Sequence, residues 1–201
     1  MSRMTAPDEQ RWNGNIHYHN LIAEAVGEAD SVLDVGCGEG MLARRLRRSA
    51  SQVTGIDLHE DSIELARAQS GDITYLVADF LGYPFPSKSF DAIVSVATLH
   101  HMDAVTALTR MAELLRPGGT LAIVGLARDV FPRDLAYSLA GVVAYRYHRI
   151  RKRDWLHPSP IVWPPPVTNR EMRRIAEQVL PGARFRRHLL WRYSIVWTKP
   201  V

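Results

Sequence analysis

The sequence predicts a doubly wound α/β fold, in which a mostly parallel sheet carries helices on both faces. Apolar runs of 6–8 residues without strict alternation recur along the chain, as is typical of strands buried on both faces. Amphipathic segments with helical spacing separate these runs. Strands and helices that alternate at this distance favour parallel pairing with right-handed crossovers. The 201 residues are 46% hydrophobic, which is enough for one domain with its own core.

Five strands and three helices are predicted in the centre of the chain. The strands cover residues 31–36, 52–58, 73–78, 90–97 and 120–126, and the helices cover residues 41–49, 62–70 and 103–116. The third helix is followed by Pro117-Gly118-Gly119, which is expected to end it. Residues 28–127 are therefore predicted to form the core of the domain.

Two segments of different character flank this core. Residues 1–27 precede it, and the second half of residues 11–26 is expected to be helical. Residues 128–167 are predicted to be an insertion with one helix near residues 133–150. Its proline-rich part, residues 157–160 and 164–166, is expected to be stiff and extended.

Residues 168–201 are predicted to form the last helix and a hairpin. Thr168 and Glu171 have the spacing of a capping box, so a helix should run from Thr168 through Leu180 and end at Pro181-Gly182. The strands of the hairpin are expected at residues 183–189 and 192–199.

The two parts of the chain carry opposite net charges. Residues 1–127 contain 10 Lys and Arg against 16 Asp and Glu, whereas residues 128–201 contain 15 against 5, and the whole chain has a net charge of +4. A basic run with interleaved aromatic residues lies in the second part. It comprises Tyr145, Arg146, Tyr147, Arg149, Arg151, Lys152, Arg153 and Trp155. Such a run is either a solvated face or a surface for an anionic partner such as nucleic acid, lipid headgroups or an acidic metabolite.

Cysteine usage and hydropathy predict a cytoplasmic protein. Cys37 is the single cysteine, which excludes an internal disulfide and fits a reducing compartment. The first residues lack the apolar stretch of a secretory signal, and no run approaches the ~18 apolar residues of a membrane span.

A glycine-rich turn is predicted between the first strand and the helix that follows it. Its sequence is Asp34-Val35-Gly36-Cys37-Gly38-Glu39-Gly40. Glycines here allow positive φ and a close approach of the backbone to a ligand. In open α/β sheets, ligands bind at the carboxyl ends of strands. The third glycine comes one residue too early for a dinucleotide fingerprint, and the Gly-Lys-Ser/Thr sequence of a phosphate loop is absent.

Acidic residues end the next two strands as well. Asp57 is placed to accept hydrogen bonds from a ribose diol. Asp79 and Phe80 are placed to hydrogen-bond and stack on a base. Each aspartate alone could equally be a turn or helix-cap residue. Three acids at consecutive strand ends beside a glycine turn favour a ligand-binding role.

These segments together resemble the motif series of class I S-adenosylmethionine-dependent methyltransferases, of the small bacterial type. The segments that carry the resemblance are DVGCGEG, GIDL, VADF, FDAIVSVATLHHM and LRPGGTLAIV. The resemblance is clear over residues 28–127 and looser over residues 168–201. It implies a Rossmann-like sheet of seven strands with an antiparallel last strand. It also implies S-adenosylmethionine as cofactor and S-adenosylhomocysteine as product.

The resemblance further implies a set of cofactor contacts. In the family pattern, the backbone of the glycine turn cradles the methionine end of the cofactor, and Asp34 orients this turn or the amino group. Asp57 holds the ribose hydroxyls, with Leu58 beside the adenine, while Asp79 and Phe80 meet the adenine edge. The implied cofactor-binding residues are Asp34, Gly36, Cys37, Gly38, Gly40, Asp57, Leu58, Asp79, Phe80 and Val96.

Methyl transfer makes modest demands on side chains. The sulfonium is an activated electrophile, so alignment and exclusion of water can supply much of the catalysis. A general base is needed only for a poorly ionised hydroxyl or a protonated amine. The candidate bases are His19, on a segment that resembles the lid of small bacterial members, and His101, which follows the fourth strand. Each could instead pack, cap a helix or contact the cofactor.

Candidate contacts to the methyl acceptor are drawn from the same two regions and from the insertion. They are Tyr18, His19, His100, His101 and Tyr137. No spacing typical of metal ligands accompanies these histidines, so no metal is expected.

Several acceptor classes lack their motifs in this chain. Ser95-Val96-Ala97-Thr98 stands where enzymes that methylate exocyclic amines of bases resemble one another in Asn/Asp-Pro-Pro-Tyr/Phe. The catalytic cysteine of the pyrimidine-C5 type and the paired glutamates of protein arginine methyltransferases are also missing. Hydroxyl methylation of RNA stays open.

The resemblance places a substrate cap at residues 128–167. The alternatives for this insertion are a membrane-surface segment and a site for single-stranded nucleic acid. We therefore expect methyl transfer to a small-molecule acceptor, with oxygen or nitrogen as the accepting atom and carbon left open. The alternatives are methylation of an RNA 2′-hydroxyl or of a lipid at the basic face, with peripheral membrane contact, and a non-catalytic regulatory protein that binds S-adenosylmethionine. The sequence does not define an oligomeric state.

Overall fold

The computed structural model describes residues 7–152, 155 and 163–201. Its helices are α1 (His19–Val26), α2 (Met41–Leu46), α3 (Glu60–Gln69), α4 (Ala104–Leu114), α5 (Leu135–Arg151) and α6 (Asn169–Val179). Its strands are β1 (Ala29–Val35), β2 (Ala50–Asp57), β3 (Thr74–Val77), β4 (Phe90–Val96), β5 (Leu115–Leu126), β6 (Arg184–His188) and β7 (Arg192–Thr198). Short 3₁₀ helices cover Asp8–Gln10, Ile16–Tyr18 and Leu99–His101.

Within the described residues, seven strands form one sheet in the order β3-β2-β1-β4-β5-β7-β6. Strands β1 to β5 pair in parallel, whereas β7 is antiparallel to both β5 and β6. This confirms the predicted α/β sheet with an antiparallel last strand. The chain builds outward from β1 to β3 and then returns to β4 on the other side of β1. The carboxyl ends of β1 and β4 therefore form the topological switch point, where open sheets bind ligands.

The sheet separates two apolar cores. One core includes α4 and α6, with Leu108 and Met172 fully buried, and the other includes α1, α2 and α3. Neighbouring residues of β1 show why its sequence lacks alternation. Val32 packs into one core and Leu33 into the other, so both faces of the strand require apolar side chains.

The end of the helix before β5 differs from the sequence prediction. Helix α4 ends at Leu114, not at residue 116, and β5 begins at Leu115 instead of residue 120. Leu115 is fully buried and pairs with Phe90, and a register shift between Phe90 and Ala92 accommodates the extra residues of β5. Pro117-Gly118-Gly119 lies inside this irregular strand. The Gly118 N–H donates to the Lys199 carbonyl, so tertiary pairing determines the boundary more than the local helix-stop sequence.

The predicted capping box is confirmed at α6. The Thr168 hydroxyl accepts from the Glu171 N–H at 3.3 Å, and the Glu171 carboxylate accepts from the Thr168 N–H at 2.7 Å. The hairpin of β6 and β7 is confirmed too. Its turn contains two non-glycine residues with positive φ, Leu190 at 59° and Trp191 at 56°.

The insertion contains the expected helix as α5, one or two residues later than predicted. Residues 157–160 of the proline-rich stretch and Arg153 of the basic run lie outside the described residues. Among the residues that the structure describes, no helix is both long and apolar enough to cross a membrane.

Candidate active site

A cavity of about 560 Å³ opens at the carboxyl ends of β1, β2 and β4. The segment before α1 and the hairpin turn of β6 and β7 complete its walls, together with Tyr145, Trp155 and Trp163 from the insertion. Its volume falls in the range of about 300–1,000 Å³ that is typical of small-molecule sites. The three acids predicted at the strand ends, Asp34, Asp57 and Asp79, all line it.

The glycine turn after β1 forms the floor of the cavity. Gly36 has a φ of 73°, and an added Cβ there would lie 2.0 Å from the Thr98 hydroxyl oxygen. The N–H groups of Gly36 and Cys37 both donate to the Ile56 carbonyl, which ties the turn to β2. Glycine is therefore required at position 36 for both its backbone conformation and its space.

Asp57 connects the glycine turn to the end of β2. Its Oδ2 accepts from the Gly38 N–H at 2.8 Å, and its Oδ1 accepts from the His59 N–H at 2.9 Å. Each carboxylate oxygen keeps a further lone pair, and the side chain lines the cavity. The carboxylate is thus held in a fixed orientation with capacity for two ligand donors.

Asp34 lies deeper in the same wall and is only 2% exposed. Its Oδ2 has no hydrogen-bond partner among the described residues. Burial, together with the nearby Asp57 carboxylate, raises the pKa of Asp34 to about 7. A buried acceptor without a partner at the wall of a cavity fits a ligand group that donates hydrogen bonds or carries positive charge.

The rim beyond β2 and β3 is formed by Leu58, Asp79 and Phe80, which all line the cavity. Leu58 is highly exposed, whereas Phe80 is buried and held from behind by Arg110, whose Nε donates to the Phe80 carbonyl at 2.9 Å. Asp79 is exposed, and its Oδ1 accepts from the Leu81 N–H at 3.0 Å. This rim presents an apolar surface beside a carboxylate.

Cys37, Gly38 and Val96 also line the cavity, but Gly40 does not. Gly40 precedes α2 with a φ of 76°, and an added Cβ would lie 2.3 Å from the Tyr75 hydroxyl oxygen. Close packing against Tyr75 therefore explains why position 40 is a glycine. The Cys37 thiol is buried, and this burial raises its pKa, so the thiol stays protonated at neutral pH.

The three histidine candidates surround the same space. His19 and His100 are buried, and burial lowers the pKa of each to about 4. Both rings are therefore neutral and weakly basic at pH 7, and the Nδ1 of His100 has no partner among the described residues. His101 is exposed; burial of part of its ring lowers its pKa, and the Asp57 carboxylate opposes this shift.

Two predicted acceptor contacts are not among the residues that line the cavity. The Tyr18 hydroxyl donates to the Leu189 carbonyl at 2.6 Å, and burial raises the pKa of Tyr18 to about 12. The Tyr137 hydroxyl donates to the Arg187 carbonyl at 3.0 Å. Both tyrosines fasten the hairpin to neighbouring elements.

The segment before α1 is fastened over the glycine turn by Glu39. The Glu39 carboxylate accepts from Arg11 Nη1 at 3.1 Å and from Trp155 Nε1 at 2.9 Å. The Arg11 guanidinium lies 4.1 Å from the centre of the Trp155 ring, and Asn13 donates to the Trp155 carbonyl. No motif marks these contacts, because the paired residues are 28 and 116 positions apart.

Arg192 is the cationic group at the opposite wall. It begins β7 beside Leu126, the last residue of β5, and it lines the cavity. Its Nε and Nη2 donate to Asn15 Oδ1 at 3.1 and 2.6 Å, and its Nη1 donates to the Leu190 carbonyl at 2.9 Å. It forms no ion pair with a carboxylate among the described residues, and burial lowers its pKa to about 10. Sequence spacing offers no signal for this residue, which only the hairpin brings to the cavity.

Comparisons with known proteins find similarity to methyltransferases. The profile of a family described as a methyltransferase domain matches residues 33–123. The chain is 41% identical over 199 residues to an uncharacterized methyltransferase of Mycobacterium tuberculosis, with 96% of this chain and 100% of that protein covered. It is 37% identical over 107 residues to a fatty-acid O-methyltransferase of Mycolicibacterium smegmatis, with 51% of this chain and 39% of that protein covered.

Solved structures show the same fold. A methyltransferase from Aquifex aeolicus, described as dependent on S-adenosylmethionine, superposes with a TM-score of 0.62 at 17% identity. The superposition covers 89% of this chain and 87% of that one.

Proposed function

The chain belongs to the class I S-adenosylmethionine-dependent methyltransferases, and from this premise we propose that it methylates an oxygen atom of a small-molecule acceptor. The match to a methyltransferase over nearly the full length of both chains shows that the chain belongs to this family. A cavity with a polar and an apolar wall supports a small acceptor. The similarity of the core to a protein named as an O-methyltransferase supports oxygen as the accepting atom.

The residues at the carboxyl ends of β1, β2 and β3 fit the cofactor. Asp34 Oδ2 is a buried acceptor without a partner in the described part of the chain, which suits the cationic amino group. Asp57 has spare lone pairs for the ribose hydroxyls, and Leu58 and Phe80 offer apolar surface for the adenine. The glycine turn leaves space for the methionine portion. When bound, S-adenosylmethionine supplies a methyl group on a positively charged sulfur.

The acceptor is assigned to the part of the cavity nearest β5 and β7. In the strand order, the three aspartates follow β1, β2 and β3, whereas Leu126 and Arg192 lie at β5 and β7 on the other side of β4. Ile16, Met102 and Trp191 add apolar surface there. The cofactor and the acceptor therefore approach each other over the end of β4, beside Val96 and Thr98.

The side chains align the reactants and exclude water. The contacts of Glu39 with Arg11 and Trp155 keep the segment before α1 closed over the glycine turn. For a hydroxyl acceptor, His101 is the better candidate base, because the more deeply buried His19 has a pKa of only about 4. An acceptor that is already ionised needs no base.

The proposed function is tested by supplying methyl-labelled S-adenosylmethionine with matched acceptors. A set of medium-chain carboxylic acids, alcohols and amines with the same alkyl chain isolates the accepting atom. We expect label in an ester or an ether and none in the amine. Label that enters only the amine, or only added RNA, would overturn the proposal. Cofactor binding without any transfer across the set would favour the non-catalytic alternative.

A further inference from the structure

Arg192 is a half-buried cation for which the proposed reaction gives no role. Its guanidinium lines the cavity, and its contacts with Asn15 and Leu190 are all to neutral oxygens. Taking a guanidinium out of water without an opposite charge is costly. An arginine in this position is typical of a site whose counter-ion arrives with the ligand.

The surroundings of Arg192 restrict what this ligand is. Arg192 has five N–H donors, and three of its hydrogen bonds are to Asn15 and Leu190, so donors remain for a planar two-oxygen anion. Leu126, Leu190 and Trp191 line the wall beside it. Arg192 is the one arginine or lysine among the described residues that line the cavity, and one cation beside apolar side chains matches an amphiphilic monoanion better than a phosphate, which needs several donors.

We propose that the methyl acceptor is a carboxylic acid with an apolar body, and that Arg192 binds its carboxylate. This inference rests on the proposed oxygen methylation and names its substrate class. In the reaction, one carboxylate oxygen attacks the methyl carbon of S-adenosylmethionine, a C–O bond forms and the C–S bond breaks. The electron pair of that bond stays on sulfur, and the products are a methyl ester and S-adenosylhomocysteine. No proton is transferred.

The neutral histidines are consistent with this acceptor. His100 lines the cavity, and burial, together with its neighbours His101 and Arg192, lowers its pKa to about 4. Such a ring is a poor base at pH 7. Because it is neutral, it also does not compete with the Arg192 guanidinium for the carboxylate. An ionised acid dispenses with a base, so the buried histidines can serve as neutral packing and hydrogen-bonding groups.

The test compares Arg192→Met with Arg186→Met, an exposed arginine of the neighbouring strand β6. The ligands are the medium-chain acid, used as substrate, and the alcohol of equal length, used as a binding probe, and thermal melts check that both variants fold. For Arg192→Met we expect the KM for the acid to rise at least tenfold, whereas the Kd of the alcohol, measured by calorimetry, stays within twofold of the wild type. We expect Arg186→Met to match the wild type and Arg192→Lys to recover part of the affinity for the acid.

Binding of S-adenosylhomocysteine distinguishes the two carboxylates that Arg192 could meet. We expect calorimetry to give an unchanged Kd for Arg192→Met. A loss of this binding would assign Arg192 to the cofactor carboxylate and overturn the inference. Methylation of the alcohol but not the acid would also overturn it and leave the proposed function intact, whereas labelling of the amine alone would remove both.

Helix α5 carries a second, independent feature, an apolar stripe that faces solvent. Its inner face packs on the domain, where Gly141 meets the Trp191 ring and His148 stacks on Trp12. The exposed Arg146 lies on its outer face, which otherwise carries apolar residues three, four or seven positions apart. These residues are Leu135, Leu139, Val142, Val143 and Ile150, and Leu139, Val143 and Ile150 are 58%, 68% and 87% exposed.

The charges around this stripe indicate what covers it. Arg146, Arg149, Arg151 and Lys152 are exposed in and just after the last turns of α5, and the helix contains no acidic residue. Exposed cations at one end of an apolar face complement an anionic surface. A helix of 17 residues spans roughly 25 Å along its axis, and this one lies on the surface with an apolar side and a basic end.

We propose that α5 docks on an anionic lipid surface, with the outer stripe in contact with the acyl chains. The test is flotation with vesicles of phosphatidylcholine, with and without phosphatidylglycerol. We expect the wild type to float with the anionic vesicles and to detach at high salt, because exposed charges are screened. The double variant Leu139→Glu/Val143→Glu should stay in solution.

Val105→Glu is the matched control, because Val105 is an exposed apolar residue of another helix, 47% exposed on α4. It should float like the wild type, and all variants should bind S-adenosylhomocysteine. Absence of flotation by the wild type would overturn the proposal. A dimer in sedimentation equilibrium that the double variant abolishes would assign the stripe to a second copy instead.

Discussion

At the scale of the residue, the ionisation of Asp34 affects both the stability of the fold and the binding of the cofactor. Its folded pKa of about 7 lies above the ordinary value of 3.8, because the side chain is buried next to Asp57. For a group with a raised pKa, the contribution to stability is complete at pH values below the ordinary pKa. It is lost as the pH rises through the folded value. The free energy of unfolding of the free protein should therefore fall between about pH 4 and pH 7.

The same residue predicts a pH dependence of cofactor binding. A cationic amino group favours ionised Asp34, and a pKa of about 7 gives an ionised fraction that rises about tenfold from pH 6 to pH 8. We expect the affinity for S-adenosylhomocysteine to rise by a similar factor in calorimetric titrations. Asp34→Asn should bind more weakly and with a flat profile, and Asp61→Asn, on the exposed first turn of α3, should behave like the wild type. A wild-type affinity that is constant over this range would contradict the assignment.

Gly36 is a residue of the turn at which any side chain is expected to be costly. A side chain at this position has two costs. The positive φ strains the backbone, and an added Cβ would lie only 2.0 Å from the Thr98 hydroxyl oxygen. We expect Gly36→Ala to lower the free energy of unfolding by about 2–4 kcal/mol. Gly71→Ala, where an added Cβ meets no atom within 4 Å, should change it by less than about 0.5 kcal/mol. Equal effects of the two substitutions in chemical denaturation would refute this explanation.

At the scale of the element, the segment before α1 depends on one carboxylate. Glu39→Ala removes the acceptor of the Trp155 indole, while Arg11 keeps Asp8 at 3.3 Å. The segment should then open more often over the glycine turn. We expect S-adenosylhomocysteine to dissociate several-fold faster in stopped-flow measurements, with a smaller change in the association rate. Glu64→Ala, an exposed residue of α3, is the control; a dissociation rate unchanged by Glu39→Ala would show that this contact does not hold the segment closed.

Elements with strong local signals could be predicted from the sequence, and those defined by tertiary pairing could not. The capping box of Thr168 and Glu171 acts within one turn, so its spacing alone locates the start of α6. The beginning of β5 depends on the pairing of Leu115 with Phe90, which lies 25 residues away in the chain. A local helix-stop sequence cannot report such a partner.

The residues of the candidate site also fall into two groups, those that the sequence predicts and those that depend on tertiary packing. The carboxylates of Asp34, Asp57 and Asp79 follow strands directly, so parallel pairing alone brings them together at one edge. Arg192 and Trp155 reach the cavity through the hairpin and the insertion, whose placement depends on packing. Tyr18 and Tyr137 lie near the predicted region but turn their hydroxyls to backbone carbonyls.

At the scale of the whole molecule, the uneven distribution of charge along the chain matches the cofactor wall and the acceptor wall that we propose for the cavity. The acidic part of the chain supplies the carboxylates at the ends of β1, β2 and β3, which fit the cofactor. The basic part supplies Arg192 at the other wall and the exposed cations at the end of α5. The net charge of +4 conceals this polarity, which the fold arranges across a single cavity.

The most direct test of this division is a calorimetric titration of S-adenosylhomocysteine into the wild type, Asp57→Ala and Arg192→Met. Hydrogen bonds to a charged group are worth about 1.5–3 kcal/mol, so we expect Asp57→Ala to raise the Kd at least about tenfold. Arg192→Met should leave the Kd within about twofold of the wild type, since the guanidinium serves the acceptor. Unchanged binding by Asp57→Ala, or loss of binding by Arg192→Met, would contradict a cavity with a cofactor wall at β1 to β3 and an acceptor wall at β5 and β7.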